Sequence, residues 1–140
     1  MVAKGCAWTV NSTDRNPNWD IDLRDGKVGE ATVAKMLSVE TVEVKTDRRW
    51  HVTGNIYVET EYYSREKGDW VASGITTSEA SHWAYVLEGM VIMVPTDDLR
   101  HIVRGYGSPI RCNIEPNPSK GMLIKFSHFA QYFGGRLGNW

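Results

Sequence analysis

Residues 41–62 read TVEVKTDRRWHVTGNIYVETEY, and the way this stretch folds sets the expectation for the rest of the chain. Val42 and Val44 alternate with Glu43, Lys45 and Asp47, and Ile56 and Val58 alternate with Tyr57, Glu59 and Glu61. Period two is the signature of a half-buried strand. The RRWHVTG between them is polar and ends in Gly54, as a hairpin connection does. A hairpin centred near His51 sets Asp47 opposite Asn55, Lys45 opposite Tyr57 and Glu43 opposite Glu59. Both acidic sets then share one face, and directly opposed like charges destabilise an antiparallel pair. A solvated strand face accounts for E-V-K alone. Acids paired across strands ask for more, and a divalent cation removes the repulsion.

Outward from this stretch the chain reads as a mixed α/β domain. Residues 1–19 are rich in Asn, Asp, Ser and Pro and read as irregular. Apolar spacing predicts a helix from about Lys27 to Leu37, its start weakened by Gly26 and Gly29. A third strand is expected over Trp70–Ile75. TTSE at 76–79 matches a capping box, with a helix following to about Trp83. Residues 84–94 read as strand broken by Glu88-Gly89, and Thr96 then caps a helix with Asp97 and Asp98 in its first turn. A last strand over Met122–Phe126 and a short helix over Ser127–Phe133 follow a Pro-rich loop. The expected architecture is a mixed central sheet with helices packed on it. A single domain over residues 1–140 is the expectation, with a core at about 20–105 and a C-terminal strand and helix extension at 106–140.

Bulk properties narrow the function. The net charge of −1 over 140 residues means that nucleic-acid binding must come from local patches or bound cations. The longest apolar stretch, Met90–Val94, is too short to span a bilayer, so no membrane partner is expected. Cys6 and Cys112 stand far apart without a CxxC or a His pair, which argues against a zinc site and for a reducing, cytoplasmic setting.

The acidic hairpin carries the chemistry. Mg²⁺ (or Mn²⁺) takes one or two carboxylates plus water and phosphate oxygens, and Glu43, Asp47 and Glu59 are the candidate metal ligands. Lys45 lies between two of them, where an ammonium could orient an attacking water or neutralise developing phosphorane charge. Metal, carboxylates and one lysine suffice for phosphodiester hydrolysis. Arg48, Arg49, Thr53 and Asn55 in the connection are candidates to grip DNA phosphates beside that metal. Ser73, Thr76 and Thr77 approach a predicted helix N-terminus, which suits phosphate, although plain capping accounts equally well for the threonines. Trp50 and Trp70 could stack on splayed bases or pack beneath their loops.

The order of elements and the acid-rich hairpin resemble the PD-(D/E)XK nuclease superfamily. That resemblance implies an αβββαβ core, metal-dependent endonuclease activity on DNA and a metal-proximal glutamate on the first helix, here Glu30 in GKVGE. The family places an acid on the first hairpin strand and E-x-K on the second. In this chain Glu43-Val44-Lys45 falls on the first, and the second carries Glu59-Thr60-Glu61. Two alignments follow. Either Glu43 or Asp47 is the first-strand acid, with Glu59 on the second and Lys45 supplied by the neighbouring strand; or Glu43 and Lys45 are the ordinary motif and Asp22 or Asp25 is the upstream acid. The first is preferred, since Asp22 and Asp25 fall outside any predicted strand. EVKTDRRWHVTGNIYVE with SGITTSEASHWAYV further resembles small phage-encoded members described as Holliday-junction-resolvase-like. This implies branched or non-duplex DNA as substrate, a homodimer as the assembly and the cytoplasm of a host cell as the setting. The glutamate in place of lysine after Glu59 supports an alternative, a non-catalytic binding or inhibitor protein on the same fold.

Overall fold

The computed structural model describes residues 19–38 and 41–137. The chain divides into two compact units, Met1–Ser38 and Val39–Trp140. The first contributes one helix, α1 (Trp19–Leu37). It begins well before the expected Lys27, so Gly26 and Gly29 are carried inside it. Among the described residues no helix is long and apolar enough to cross a membrane.

The second unit runs β1 (Val42–Thr46), α2 (Trp50–Thr53), β2 (Asn55–Ser64), β3 (Asp69–Ala72), a 3₁₀ turn (Gly74–Thr76), β4 (His82–Leu87), β5 (Met90–Pro95), α3 (Thr96–Tyr106), β6 (Ser108–Cys112), β7 (Ser119–Lys125) and α4 (Phe126–Leu137). The mixed α/β class is as expected, but two sheets replace one central sheet. One is mixed, in the order β1-β4-β5, and the other is antiparallel, in the order β3-β2-β7-β6.

This overturns the central hairpin. β1 lies parallel to β4, with Glu43 opposite Trp83 and Lys45 opposite Tyr85. β2 pairs instead with β3 and β7, so Glu59 faces Gly121 and not Glu43. The connection is the reason. Residues 50–53 close a helical turn whose Gly54 takes the left-handed conformation at φ 67°, and this carries the chain into the second sheet rather than back along the first. A β-bulge brings a second correction. The register between β2 and β7 slips between Glu59 and Glu61, which turns Glu61 to the face opposite Glu59. There it pairs with Lys120 at 3.3 Å.

The helix expected through Trp83 is absent. Trp83, Tyr85 and Leu87 alternate into the protein as β4, each about 1% exposed, and burial on a period of two outweighs the local capping signal. The capping residues are used otherwise: Thr76 Oγ1 donates to the Thr60 carbonyl at 3.0 Å, and Ser78 Oγ accepts the Trp83 indole N–H at 3.0 Å. The core joins Ile56 and Val58 of β2, Trp83, Tyr85 and Leu87 of β4, Leu99 and Ile102 of α3, Ile124 of β7 and Phe129 of α4. Each such side chain stabilises the fold by about 1.5–3 kcal/mol through water exclusion. The helix expected after Pro95 forms as α3 with Asp97 and Asp98 in its first turn, but Thr96 does not cap it: Pro95 holds the cap position, and the Thr96 hydroxyl donates to the Ala80 carbonyl instead. Tyr132 of α4 donates to Asp98 at 2.7 Å and ties the last helix to it.

Candidate phosphate-handling cleft

Where β1 and β2 enter different sheets they leave a cleft of about 830 Å³ between them. One side carries Lys45 of β1 with Trp83 and Tyr85 of β4. The other carries Asn55, Tyr57 and Glu59 of β2 with Leu123 and Ile110, and the chain linking β1 to β2 contributes Asp47, Arg48, Arg49 and Thr53.

The geometry of the link follows from its sequence. Asp47 Oδ1 accepts the Arg49 backbone N–H at 2.8 Å, a local turn that suits aspartate. The Thr53 hydroxyl donates to the Arg49 carbonyl at 3.1 Å and accepts the Asn55 N–H at 3.2 Å, which fixes the exit from α2. Trp50 packs on Phe126 with ring centroids 5.9 Å apart, and the Phe126 N–H donates to the Gly54 carbonyl at 2.9 Å. The indole of Trp50 is thus anchorage for the link. Trp70 is likewise engaged, with the Lys120 ammonium 4.1 Å from its ring centroid and the Arg111 guanidinium at 5.0 Å.

Lys45 holds Glu43 at 2.7 Å and lies 5.4 Å from the Trp83 ring centroid. The two side chains share a face because they are two apart on β1. Glu59 Oε1 accepts the Ser73 hydroxyl at 2.7 Å. That contact depends on Gly74, since a Cβ there would stand 2.2 Å from the Glu59 carbonyl oxygen, on a backbone with φ of +54°. Tyr57 donates to or accepts from Ser119 Oγ at 2.8 Å. Burial raises the pKa of Tyr57, Ser119 pulls it back, and the Glu59 and Cys112 charges add to the rise. Tyr85 is buried with its hydroxyl unpartnered among the described residues. Burial, and after it the charges of Asp47 and Glu43, push its pKa well above the ordinary tyrosine value.

Lys45, Asp47 and Glu59 therefore come together in one cleft, with Arg48, Arg49, Thr53 and Asn55 around them. Glu43 reaches this group only through Lys45. Ser73 joins it through Glu59, whereas Thr76 and Thr77 are exposed and outside the lining. The helix N-terminus proposed for them is a three-residue 3₁₀ turn. Glu30 is an exposed residue of α1, in the first unit. Asp22 and Asp25 lie in α1 rather than on a strand. Sequence reasoning missed Tyr57, Tyr85, Ile110, Arg111 and Leu123. The alternation of Tyr57 with Ile56 and Val58 places it on the Glu59 face, a signal that was there to be used. Ile110 and Arg111 belong to β6, a short edge strand whose Pro109 hides its strand character.

Among the described residues no three His, Cys, Asp or Glu side chains cluster as a preformed metal site. The donor set still fits a hard cation that keeps most of its own water. Asp47 of the link and Glu59 of β2 offer two carboxylates on one cleft, each with one oxygen in a described hydrogen bond, and Mg²⁺ needs no more from protein when phosphate oxygens complete its shell. Compared with family models, curated proteins and solved structures, the chain matches none of them.

Proposed function

We propose that this protein is a metal-dependent phosphodiesterase that cuts DNA. The observation that supports this best is the convergence, in one cleft, of Asp47 and Glu59 with Lys45, rimmed by Arg48 and Arg49. Two acids alone would repel a phosphodiester, and three cations alone would merely bind one. Together they suit a site that takes up a phosphate and acts on it. Asp47 and Glu59 would hold Mg²⁺ or Mn²⁺, which when bound lowers the pKa of a water and offsets charge on the phosphate. The arginines position the strand through its phosphates. Lys45, still held by Glu43, supplies another of its three N–H groups to the oxygen on which charge develops. Glu43 thereby becomes the residue that holds Lys45 in place rather than a ligand. A homodimer, with one cleft per strand, belongs to the same reading.

A second reading has its own support. Lys45 is already paired with Glu43, and the position after Glu59 and Thr60 is a glutamate turned to the other face. A binding protein without catalysis would look the same. Purified protein incubated with labelled single-stranded, duplex and four-way DNA, in Mg²⁺, Mn²⁺ or EDTA, separates the two. Metal-dependent cleavage lost in Asp47→Asn and Glu59→Gln supports the enzyme. Binding in every condition without cleavage supports the alternative and overturns the first reading.

A further inference from the structure

The water-exposed apolar part of the cleft lies on one side, since Trp83 and Tyr85 across from it are buried. Tyr57, Leu123 and Ile110 come from adjacent strands of the antiparallel sheet, and Ile114 follows just beyond β6. Ile110 is 40% exposed and Ile114 69% exposed, so these side chains meet water in a place otherwise edged by arginine. The Tyr57 ring is fixed in advance by Ser119 and by its seat over Gly121, where a Cβ would come within 2.6 Å of it. An immobilised ring loses little further freedom when something stacks on it.

Duplex DNA has no use for such a wall. Its outside is phosphate and groove edge, and each base face is covered by its neighbours. A strand with an unpaired base presents exactly the missing partner: a flat apolar face joined to phosphates on either side. Volume points the same way, because about 830 Å³ lies in the range that encloses a ligand of nucleotide size. We propose that the cleft takes DNA at a locally unpaired nucleotide, the base lying against Tyr57, Ile110 and Ile114 and the adjoining phosphates on Arg48 and Arg49. The inference rests on the nucleic-acid reading above and adds the part of the substrate that is recognised.

The test is binding by the full chain in EDTA, so that nothing is cut. Fluorescence anisotropy compares a short labelled single strand, the same strand with abasic sugars in place of its nucleotides, and the matching duplex. The intact strand should bind about tenfold more tightly than either of the others, the scale of one base stacked on an aromatic wall. Ile110→Ser with Ile114→Ser, at positions exposed enough to leave the fold intact, should bring the intact strand down to the abasic level and leave duplex binding unchanged. Equal affinity for intact and abasic strands overturns the proposal, as does a double variant that weakens strand and duplex alike. If either result comes with metal-dependent cleavage, the phosphodiesterase reading survives alone. Base-dependent binding without cleavage in Mg²⁺ keeps this inference and removes that reading, and a protein that binds none of the three probes removes both.

Discussion

Tyr57 lies across Gly121: a Cβ on that glycine would stand 2.6 Å from ring atom Cε2 and 2.4 Å from the Val58 carbonyl oxygen. One neighbour is a side chain that could move and the other is backbone that could not without shifting β2 against β7. Gly121→Ala should therefore cost about 1–3 kcal/mol, the range of overpacking at a filled site. Denaturant melts measure it, and a variant as stable as wild type would mean that the strands separate there freely. Ser119→Ala, which leaves that space alone and frees only the Tyr57 hydroxyl, should cost less.

Glu43→Gln should not stabilise the protein. With Glu43 and Glu59 in different sheets, no like-charge pair is there to be relieved. What the substitution removes is the Lys45 contact, in which both side chains are 40% exposed, so the loss is about 0–1 kcal/mol after solvent screening. A clear gain in melting temperature without metal would restore the crossed-hairpin arrangement.

Lys45→Ala should leave DNA binding within a few-fold of wild type and lower cleavage by about two orders of magnitude, as expected when one donor to developing charge is lost. Single-turnover cleavage checks this. A rate within a few-fold of wild type would take Lys45 out of the chemistry.

Arg48→Ala combined with Arg49→Ala should weaken binding to all DNA sequences alike and flatten the dependence of log affinity on log salt by about one to two. Affinities measured across a salt series read it directly. An unchanged slope would mean that the link does not touch phosphate.

Tyr85→Phe should hold or raise stability, by up to about 1 kcal/mol, because the buried hydroxyl makes no described hydrogen bond and its desolvation is relieved. The same residue gives an alkaline signature. Its folded pKa is raised, so above the unfolded value of about 10 the unfolded chain has lost a proton that the folded chain still holds. Bound protons are then fewer in the unfolded state, and stability falls as pH rises, by about 1.4 kcal/mol per pH unit for such a group. Tyr85→Phe should show a shallower fall above that pH than wild type. Identical slopes would mean that the phenol is not held neutral.

Local signals carried the local structure and failed at pairing. Asp97, Asp98 and the stripe of Leu99, Ile102 and Val103 announce α3 because dipole and apolar spacing agree within a few residues, even though Thr96 is not its cap. The strands at 42–46 and 55–64 were equally plain from their period. Their partners were not, because alternation says which residues share a face and nothing about which strand lies alongside. The four-residue turn of α2 decides that, and WHVTG looks like any polar connection. The strands on either side of Glu88-Gly89 are legible from sequence, but the capping pattern at 76–79 points to a helix up to Trp83, where β4 has already begun: that pattern is local, while the burial of Trp83, Tyr85 and Leu87 that overrides it comes from residues far off in sequence. The candidate site was legible in part as a set of chemical groups, with Lys45, Asp47 and Glu59 lining one cleft and Glu43 outside that lining. Its second wall was not, since Ile110 and Leu123 reach it only through the tertiary fold.

The cleft has its sides on two separate sheets, and this gives its gape a kind of adjustment that a single sheet lacks. Strands bonded side by side keep a fixed spacing of about 4.8 Å, so a groove within one sheet can change only in whole steps of register. Here the distance between walls depends on how Ile56, Val58, Trp83 and Leu87 fill the interior, and side-chain bulk changes one methylene at a time. The calibre of the opening can thus drift by fractions of an ångström while every ladder, and every group at the mouth, keeps its neighbours.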